Sequence, residues 1–272
     1  VFSKEAELEG LDMITVPDSI VWRDTYNGDV RTDGELRNIL TAINEITNDA
    51  SGFDFDNLTI QVIADFDDTT IDAVFDSRVL VASISTFMMN MDLGDVPLII
   101  ADDVLGPEGY IIKSELSSLA TSARVLVEEM ACDEGDTTCE ARGFDVGKAF
   151  TLEESVIDTL LTSNILSDTI GRLVITSGEG ILTIPSVALE SVMVDGLAQD
   201  VVTSAEIKQM FMAIGVFGFE DINNITFDPS IIQSLSVEGD PLTLDTDKSQ
   251  ELFDSDILLA TLSTVIIEQT EG

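Results

Sequence analysis

The chain has 272 residues, 44% of them hydrophobic, and its 52 acidic against 12 basic side chains give a formal net charge of −40. Enough apolar material is present for a packed core, so the chain is not a disordered acidic tail. Because phosphates need a basic surface, the charge excludes DNA, RNA and anionic lipid as partners. The acidity fits either a saline, cation-rich setting or the need for solubility alone.

Short strands are predicted first, each ending at a proline, since proline lacks a backbone donor and suits a strand end. They cover residues 11–17, 93–97 and 181–185 and end at Pro17, Pro97 and Pro185. Second strands follow at 29–31, 110–112 and 201–202. The pairs predict small antiparallel ribbons, with variable turns at 18–28, 101–109 and 186–196.

Helices come next, and they align on Glu35, Glu115 and Glu206. Apolar residues then recur at helical spacing, which predicts one buried face for each helix. Thr32 and Thr203 precede Glu35 and Glu206 by three residues, which is typical of capping boxes. Ile112 replaces the threonine in the middle copy, so that helix start should lack a side-chain cap.

A serine-led pattern occurs three times, starting at Ser77, Ser163 and Ser255. In each copy an aliphatic pair begins two residues after the serine, and another apolar residue follows four beyond that pair. Such self-similarity indicates one structural unit used repeatedly. Here it predicts single helices over 74–89, 156–174 and 252–267.

The sequence therefore predicts an α+β fold built from tandem repeats, each with a short antiparallel ribbon and two main helices. The aligned glutamates are 80 residues apart from Glu35 to Glu115 and 91 apart from Glu115 to Glu206. The predicted modules are 1–76, which lacks its opening helix, then 77–162 and 163–254, with 255–272 as the opening helix of a further module.

The combination of these elements resembles tandem modules of very large secreted surface proteins of low-GC and wall-less bacteria. The residues that carry the resemblance are the serine-led pattern from Ser255 to Ser263, the proline-ended segment at Ile181 to Pro185, and the Glu-Leu pairs at Glu35 and Glu115. The resemblance implies a structural, adhesive or filament-forming protein at the cell surface or outside the cell, without an active site.

The ends of the chain suggest where such a protein would assemble. The last serine-led helix has no strand after it, so we expect Ser255, Ile257, Leu258, Leu262 and Ile266 to contact a neighbouring copy head to tail. The alternative is a slice of a longer polypeptide, in which neighbouring repeats of the same chain are the partners. An adhesin that binds a glycan or protein through its variable turns is the second function that the pattern allows.

No catalytic pattern accompanies these repeats, and we expect no enzymatic activity. Histidine is absent, which removes the commonest general base and transition-metal ligand. No stretch reaches the ~18–20 apolar residues of a membrane span, so we expect no membrane insertion.

Calcium is the one cofactor that the acidic residues suggest. Asp24 with Glu35, and Asp195 with Glu206, have the separation of the first and last ligands of an EF-hand loop. The intervening ligand positions do not match, and each glutamate is equally explained as the capping residue of its own helix.

Two cysteines, Cys132 and Cys139, flank a polar loop of six residues. Their spacing fits neither a C-x-x-C redox pair nor a zinc site with further ligands close by. It favours a local disulfide and hence an oxidising, extracellular compartment. Two unpaired thiols are the alternative.

Overall fold

The computed structural model describes residues 31–49, 60–93, 96–131, 146–217, 225–227, 235–237, 240–241, 250 and 252–271. These residues are mostly helical with short antiparallel strands, which confirms the predicted mixture of helix and strand. The helices are α1 (Arg31–Asp49), α2 (Ile60–Ala64), α3 (Asp68–Asp76), α4 (Arg78–Met88), α5 (Lys113–Glu129), α6 (Val146–Ala149), α7 (Glu154–Leu160), α8 (Asn164–Ser177), α9 (Ser204–Phe217) and α10 (Asp256–Glu271).

The strands form three small antiparallel sheets within the described residues. Their members are β1 (Asp92–Leu93) with β2 (Val96–Pro97), β3 (Leu189–Val194) with β4 (Leu197–Val202), and β5 (Ile225–Phe227) with β6 (Leu235–Val237) and β7 (Asp240–Pro241). Short 3-10 turns at Asp102–Val104 and Ser186–Ala188 come before α5 and the β3–β4 hairpin.

The long helices α1, α5 and α9 form where the sequence predicts them, and their apolar faces are buried. The buried members of these faces are Ile46 in α1, Leu116, Leu119, Ala123 and Leu126 in α5, and Ile207, Met210 and Ile214 in α9. Ile112 precedes α5 without a side-chain cap, as predicted. Thr203 caps α9, because its Oγ1 accepts the backbone N–H of Glu206 at 3.2 Å.

The serine-led helices were predicted as continuous, and this is wrong. Ser77 has extended backbone angles (φ −107°, ψ 114°) and separates α3 from α4, and Ser163 likewise precedes α8 (φ −84°, ψ 124°). Each serine is an N-cap, since its Oγ accepts an N–H of the following turn at 3.2 Å from Leu80, Leu166 or Leu258. The serine hydroxyl binds a backbone N–H at the start of the following turn, so one helix ends before the serine and a new helix begins after it.

The predicted ribbons are correct only in part. The segment 181–185 is not a strand, because β3 begins at Leu189, after the 3-10 turn, and pairs along its length with β4. Residues 201–202 do end β4, as predicted. The segment 93–97 contributes to two strands, β1 and β2, while Ile111 makes one isolated bridge to Leu105. The predicted strand at 11–17 and the first two residues of the predicted strand at 29–31 lie outside the described residues, whereas Arg31 begins helix α1 and is not part of a strand.

One buried apolar cluster extends from Ala42 in α1 to Leu258 in α10. Within it, α8 lies directly on the backbone of β4 because Gly171 has no side chain. A Cβ at residue 171 would stand 2.4 Å from the carbonyl oxygen and 2.9 Å from the nitrogen of Val202.

Replacing Gly171 by Ala should therefore separate α8 from β4, since backbone cannot yield as a flexible side chain would. We expect a loss of roughly 1–3 kcal/mol in the free energy of unfolding, measured by urea denaturation. This loss outweighs the ~1 kcal/mol by which Ala normally improves a helix interior. Gly106→Ala is the control, because a Cβ there meets atoms only at 3.6 Å. Equal stability of both variants would contradict the close approach.

Candidate functional site

The most distinctive polar feature is a glutamate bonded to a serine that begins a later helix. We call this contact the glutamate–serine joint, and it occurs at Glu35–Ser77, Glu115–Ser163 and Glu206–Ser255, with an Oγ–Oε1 distance of 2.7 Å in each. All three serines are fully buried, and Glu115 and Glu206 are 6% and 3% exposed.

Each carboxylate also accepts a backbone N–H from the helix that its serine begins. The donors are Val79 at 3.1 Å, Ile165 at 3.0 Å and Ile257 at 2.9 Å, always two residues after the serine. In the third joint the second oxygen of Glu206 accepts the N–H of Asp256 at 3.2 Å. Serine and glutamate together thus satisfy consecutive free amides in the first turn of the helix.

The chemistry explains why a carboxylate can be buried here. The first turn of a helix presents N–H groups without internal partners and carries partial positive charge. Hydrogen bonds from these donors to an ionised acceptor are short and strong, so they offset the cost of removing the carboxylate from water. The joint therefore ties one long helix, near its N-terminus, to the first turn of another helix.

Replacing Glu115 by Ala should remove this tie and leave the Ser163 hydroxyl and the Ile165 N–H buried without an acceptor. We expect a loss of roughly 2–4 kcal/mol in the free energy of unfolding, measured by chemical denaturation. Glu128→Ala on the exposed side of the same helix removes the same charge and is the control. If both variants unfold at the same denaturant concentration, the joint does not stabilise the fold.

Two threonine side chains that accept backbone N–H groups add to these joints. Thr169 Oγ1 accepts the N–H of Ile99 at 2.8 Å, and Thr261 Oγ1 accepts the N–H of Thr183 at 2.9 Å. Both threonines lie six residues after a joint serine. The helix that follows Ser163 or Ser255 thus also binds the extended segment that precedes a 3-10 turn.

Basic side chains connect α2, α3 and α4 to the elements that follow them. Lys113 of α5 pairs with Asp72 of α3, and Arg78 of α4 pairs with Glu108 at 2.9 Å. Arg124 of α5 donates to the carbonyl oxygens of Ala64 and Phe66 at 3.2 and 3.3 Å. These contacts are exposed or half-buried, so they contribute little to stability and mainly orient the elements that they connect.

Similar contacts connect α7 and α8 to the elements that follow them. Lys208 of α9 pairs with Asp158 at 2.6 Å and Glu154 at 2.9 Å in α7. The Lys208 ammonium donates hydrogen bonds to Asp158 and to Glu154, and these bonds, the one to Asp158 most, raise the pKa of Lys208. Both Asp72 and Asp158 stand five residues before a joint serine.

Asp168 in α8 is a buried acid whose charged neighbours in the described part of the chain are other carboxylates. It is 6% exposed, and the carboxylates of Glu190 in β3, Asp103 in the 3-10 turn and Glu115 in α5 all lie near it. Burial, followed by repulsion from these three groups, raises the pKa of Asp168 from 3.8 to about 7. Ala82 and Ala260 occupy the same position, five residues after the serine, in α4 and α10.

Asp168→Asn should stabilise the protein much more at pH 8.5 than at pH 5. The folded-state pKa is raised, so the stability contributed by protonated Asp168 is fully present below the unfolded pKa of 3.8 and is lost progressively as pH rises from there through about 7. We expect the gain at pH 8.5 to exceed the gain at pH 5 by on the order of 2–3 kcal/mol. The measurement is urea unfolding at both pH values, with exposed Asp65→Asn as the charge-matched control. A gain that is equal at both pH values would contradict the raised pKa.

The residues predicted for calcium do not form an acidic cluster in the described part of the chain. Glu206 is buried, with its carboxylate bound to Ser255, Asp256 and Ile257, and Asp195 lies in the β3–β4 turn with its N–H bound to Asp102 Oδ1 at 3.0 Å. Glu35 is bound to Ser77 and Val79 in the same way, and Asp24 lies outside the described residues. No group of three acidic side chains there could hold a metal ion, and calcium stays a prediction.

The predicted assembly residues divide into two groups. Ser255, Ile257 and Leu258 are at most 4% exposed and pack inside the chain, so their assignment to an intermolecular surface is wrong. Leu262 and Ile266 are half-buried. The predicted disulfide between Cys132 and Cys139 lies outside the described residues.

Sequence reasoning found the joint serines and glutamates but not their pairing. The glutamates were assigned to caps of their own helices and the serines to the interior of helices. The signal that could have paired them is their constant order, one glutamate before each serine, at separations of 42, 48 and 49 residues.

No protein-family model matches this sequence, and no curated protein or solved structure is significantly similar to it. Among the described residues, none of the helices combines the length and apolar character needed to cross a bilayer.

Proposed function

We propose that the protein is a structural repeat protein of a bacterial cell surface or extracellular filament, which assembles head to tail. The observation that carries the proposal is the glutamate–serine joint, which has the same atoms and nearly the same distances at three places along the chain. A buried polar contact of this kind lowers the stability of the fold unless all its groups form hydrogen bonds. Its occurrence at three places therefore favours one repeated unit.

The joints also favour a different division of the chain from the one based on sequence. Each joint closes a unit, because it ties the first long helix to the helix that follows the serine. On this basis unit 1 ends with α4, unit 2 spans about 96–177, and unit 3 spans about 182–271. The threonine contacts Ile99–Thr169 and Thr183–Thr261 fall within units 2 and 3 and support this division.

The contacts between successive units use similar chemistry. An aspartate five residues before the joint serine pairs with a lysine on the first long helix of the next unit, as in Asp72–Lys113 and Asp158–Lys208. A chain that has few basic residues thus places several of them between units. This arrangement suits a protein that stacks units in one direction.

The acidic composition supports an extracellular setting rich in cations. At a formal charge of −40, two copies repel each other strongly until salt screens the charge, with a Debye length of about 8 Å at physiological ionic strength. The resemblance to modules of large secreted bacterial surface proteins supports the same setting. Enzymatic activity forms no part of this proposal.

Binding of a glycan or protein by the hairpin is the second candidate function. Three apolar residues near the predicted turn at 186–196 are exposed, namely Val187 (70%), Met193 (45%) and Leu197 (69%). Exposed apolar groups on one hairpin are typical of a contact surface. In this function the units position the hairpin, and calcium would act as a stabilising cofactor.

We expect the full chain to remain monomeric at low ionic strength and to associate reversibly as salt rises, because screening removes the repulsion between copies. Sedimentation velocity across a protein concentration series in NaCl, and in CaCl₂ at matched ionic strength, measures this. Stronger association or a higher melting temperature in CaCl₂ alone would support calcium as a cofactor. A chain that stays monomeric in every condition would contradict assembly, and glycan or protein binding by such a monomer would favour the adhesin function.

A further inference from the structure

The β3–β4 hairpin has two outer edges, and they differ in what lies against them. On the β4 side the backbone of Val202 lies against Gly171 of α8, and the carbonyl oxygen of Asp200 accepts a hydrogen bond from Arg172 at 3.4 Å. The opposite edge belongs to β3, which is a six-residue strand with an exposed Ser191 at its centre. The two edges therefore have to be considered separately.

The pairing of β3 with β4 decides which backbone groups of β3 point away from β4. The turn at 195–196 has positive φ values (52° and 71°) and joins Val194 directly to its partner Leu197. The pair that flanks such a turn exchanges both of its backbone hydrogen bonds, and bonded and non-bonded pairs then alternate along the hairpin. The N–H of Thr203 donates to the carbonyl oxygen of Ala188 at 3.0 Å, which fits the same alternation. Even-numbered residues of β3 therefore bond to β4, and odd-numbered residues point away from it.

The outward N–H and C=O groups of Ser191 and Met193 form what we call the open edge. Neither residue makes a backbone hydrogen bond on this side to any other described residue, whereas the N–H of Leu189 is bound to the carbonyl oxygen of Ser186. Proteins commonly block a free strand edge with a lysine, a proline or a bulge. The β3 strand contains no lysine or proline, and its six consecutive pairs with β4 leave no bulge. Two donors and two acceptors are therefore available to an added strand.

Acidic side chains lie near the open edge. Glu190 is next to it in β3 and Asp195 is in the turn, where Asp102 and then Asp103 approach from the 3-10 turn, since Asp102 Oδ1 accepts the N–H of Asp195 at 3.0 Å. Residues 181–202 contain no lysine and no arginine. A second copy of the hairpin would bring the same acidic groups, and like charges on adjacent strands are destabilising. Charge complementarity therefore favours a partner strand that carries lysine or arginine.

We propose that the open edge of β3 binds an extended segment of another protein in which basic and apolar residues alternate. Such a segment adds a strand antiparallel to β3, and its backbone bonds to the outward groups of Ser191 and Met193. Successive side chains of a strand point to opposite faces. The basic side chains then lie on the face of Glu190, and the apolar ones lie beside Met193, which is 45% exposed. This inference rests on the second candidate function, binding by the hairpin, and specifies the chemistry of the partner.

The first test compares two proline variants of the full chain by fluorescence anisotropy, at physiological ionic strength, with a labelled peptide of three Lys–Val repeats. Ser191→Pro removes an outward N–H and fills the open edge, but it spares the bonds to β4, as proline on an edge strand does. Ser186→Pro is the matched control, because Ser186 is exposed and begins a 3-10 turn, where proline is tolerated. Circular dichroism and melting curves check that both variants fold as the wild type does.

The second test leaves the protein unchanged and alters the peptide. In the proposed register the valines lie opposite Ser191 and Met193, so their N–H groups point toward β3 while those of the lysines point to solvent. N-methylation of the valines therefore removes the donors that bind the open edge, and N-methylation of the lysines is the control. A peptide of three Glu–Val repeats tests the charge of the partner.

We expect the wild type and Ser186→Pro to bind the Lys–Val peptide equally, and Ser191→Pro to bind it at least tenfold more weakly. Methylation of the valines should weaken binding to the wild type by a similar factor, while methylation of the lysines should not. Binding that Ser191→Pro leaves unchanged, or that both methylated peptides retain, would overturn the open edge as the site. Equal binding of the Glu–Val peptide would overturn the basic partner.

Two further outcomes separate this inference from the functions proposed above. A wild type that binds no peptide but associates with itself, and loses that association in Ser191→Pro, would assign the open edge to a second copy and overturn a different partner. A wild type that binds a glycan but no peptide would overturn the inference and leave the second candidate function intact, whereas binding of neither would contradict that function as well.

Discussion

The described fold depends on how a chain with so few basic residues compensates its buried acids. Glu115 and Glu206 are almost fully buried, and their partners are backbone amides and a serine hydroxyl in place of lysine or arginine. Helix N-termini supply this compensation without adding positively charged residues. Two exposed acids are also bound by backbone amides: the Thr70 amide in the first turn of α3 lowers the pKa of Asp67, and the Asp102 carboxylate accepts the Asp195 and Gly196 amides of the β3–β4 turn.

Because backbone amides at helix N-termini bind the buried carboxylates, the basic side chains are available for other contacts. Arg78, Lys113 and Arg124 connect elements on either side of the first proposed boundary. Lys208 and Arg172 do the same at the second, where Arg172 donates to the carbonyl oxygen of Asp200 at 3.4 Å. Exposed ion pairs contribute little stability but restrict geometry. Here they orient the elements on either side of each proposed boundary.

The sequence predicted what local periodicity controls and missed what tertiary contacts control. The apolar faces of α5 and α9 are correct, because 3.6-residue spacing is visible in one segment. The strand at 181–185 is wrong, since a short apolar run before proline also fits an extended segment that packs on α10 through Thr183 and Thr261. The serine lies between two helical segments that the sequence predicts as one helix, and its buried partner is a glutamate more than forty residues earlier. That partner is beyond the reach of any local pattern.

Asp168 shows that the proposed boundaries are not equivalent. Alanine stands five residues after the joint serine in α4 and α10, and its burial removes no charge from water. In α8 the residue at that position is Asp168, whose carboxyl lies near Glu190 of the following hairpin and near Asp103. With its pKa near 7, this group is neutral in mildly acidic surroundings and charged in alkaline ones. Ionisation adds repulsion across the contact between α8 and the β3–β4 hairpin, where Gly171 allows the closest approach. The second boundary is therefore the one whose stability depends on pH near neutrality, while the first, which has Ala82 at the position of Asp168, carries no such group there.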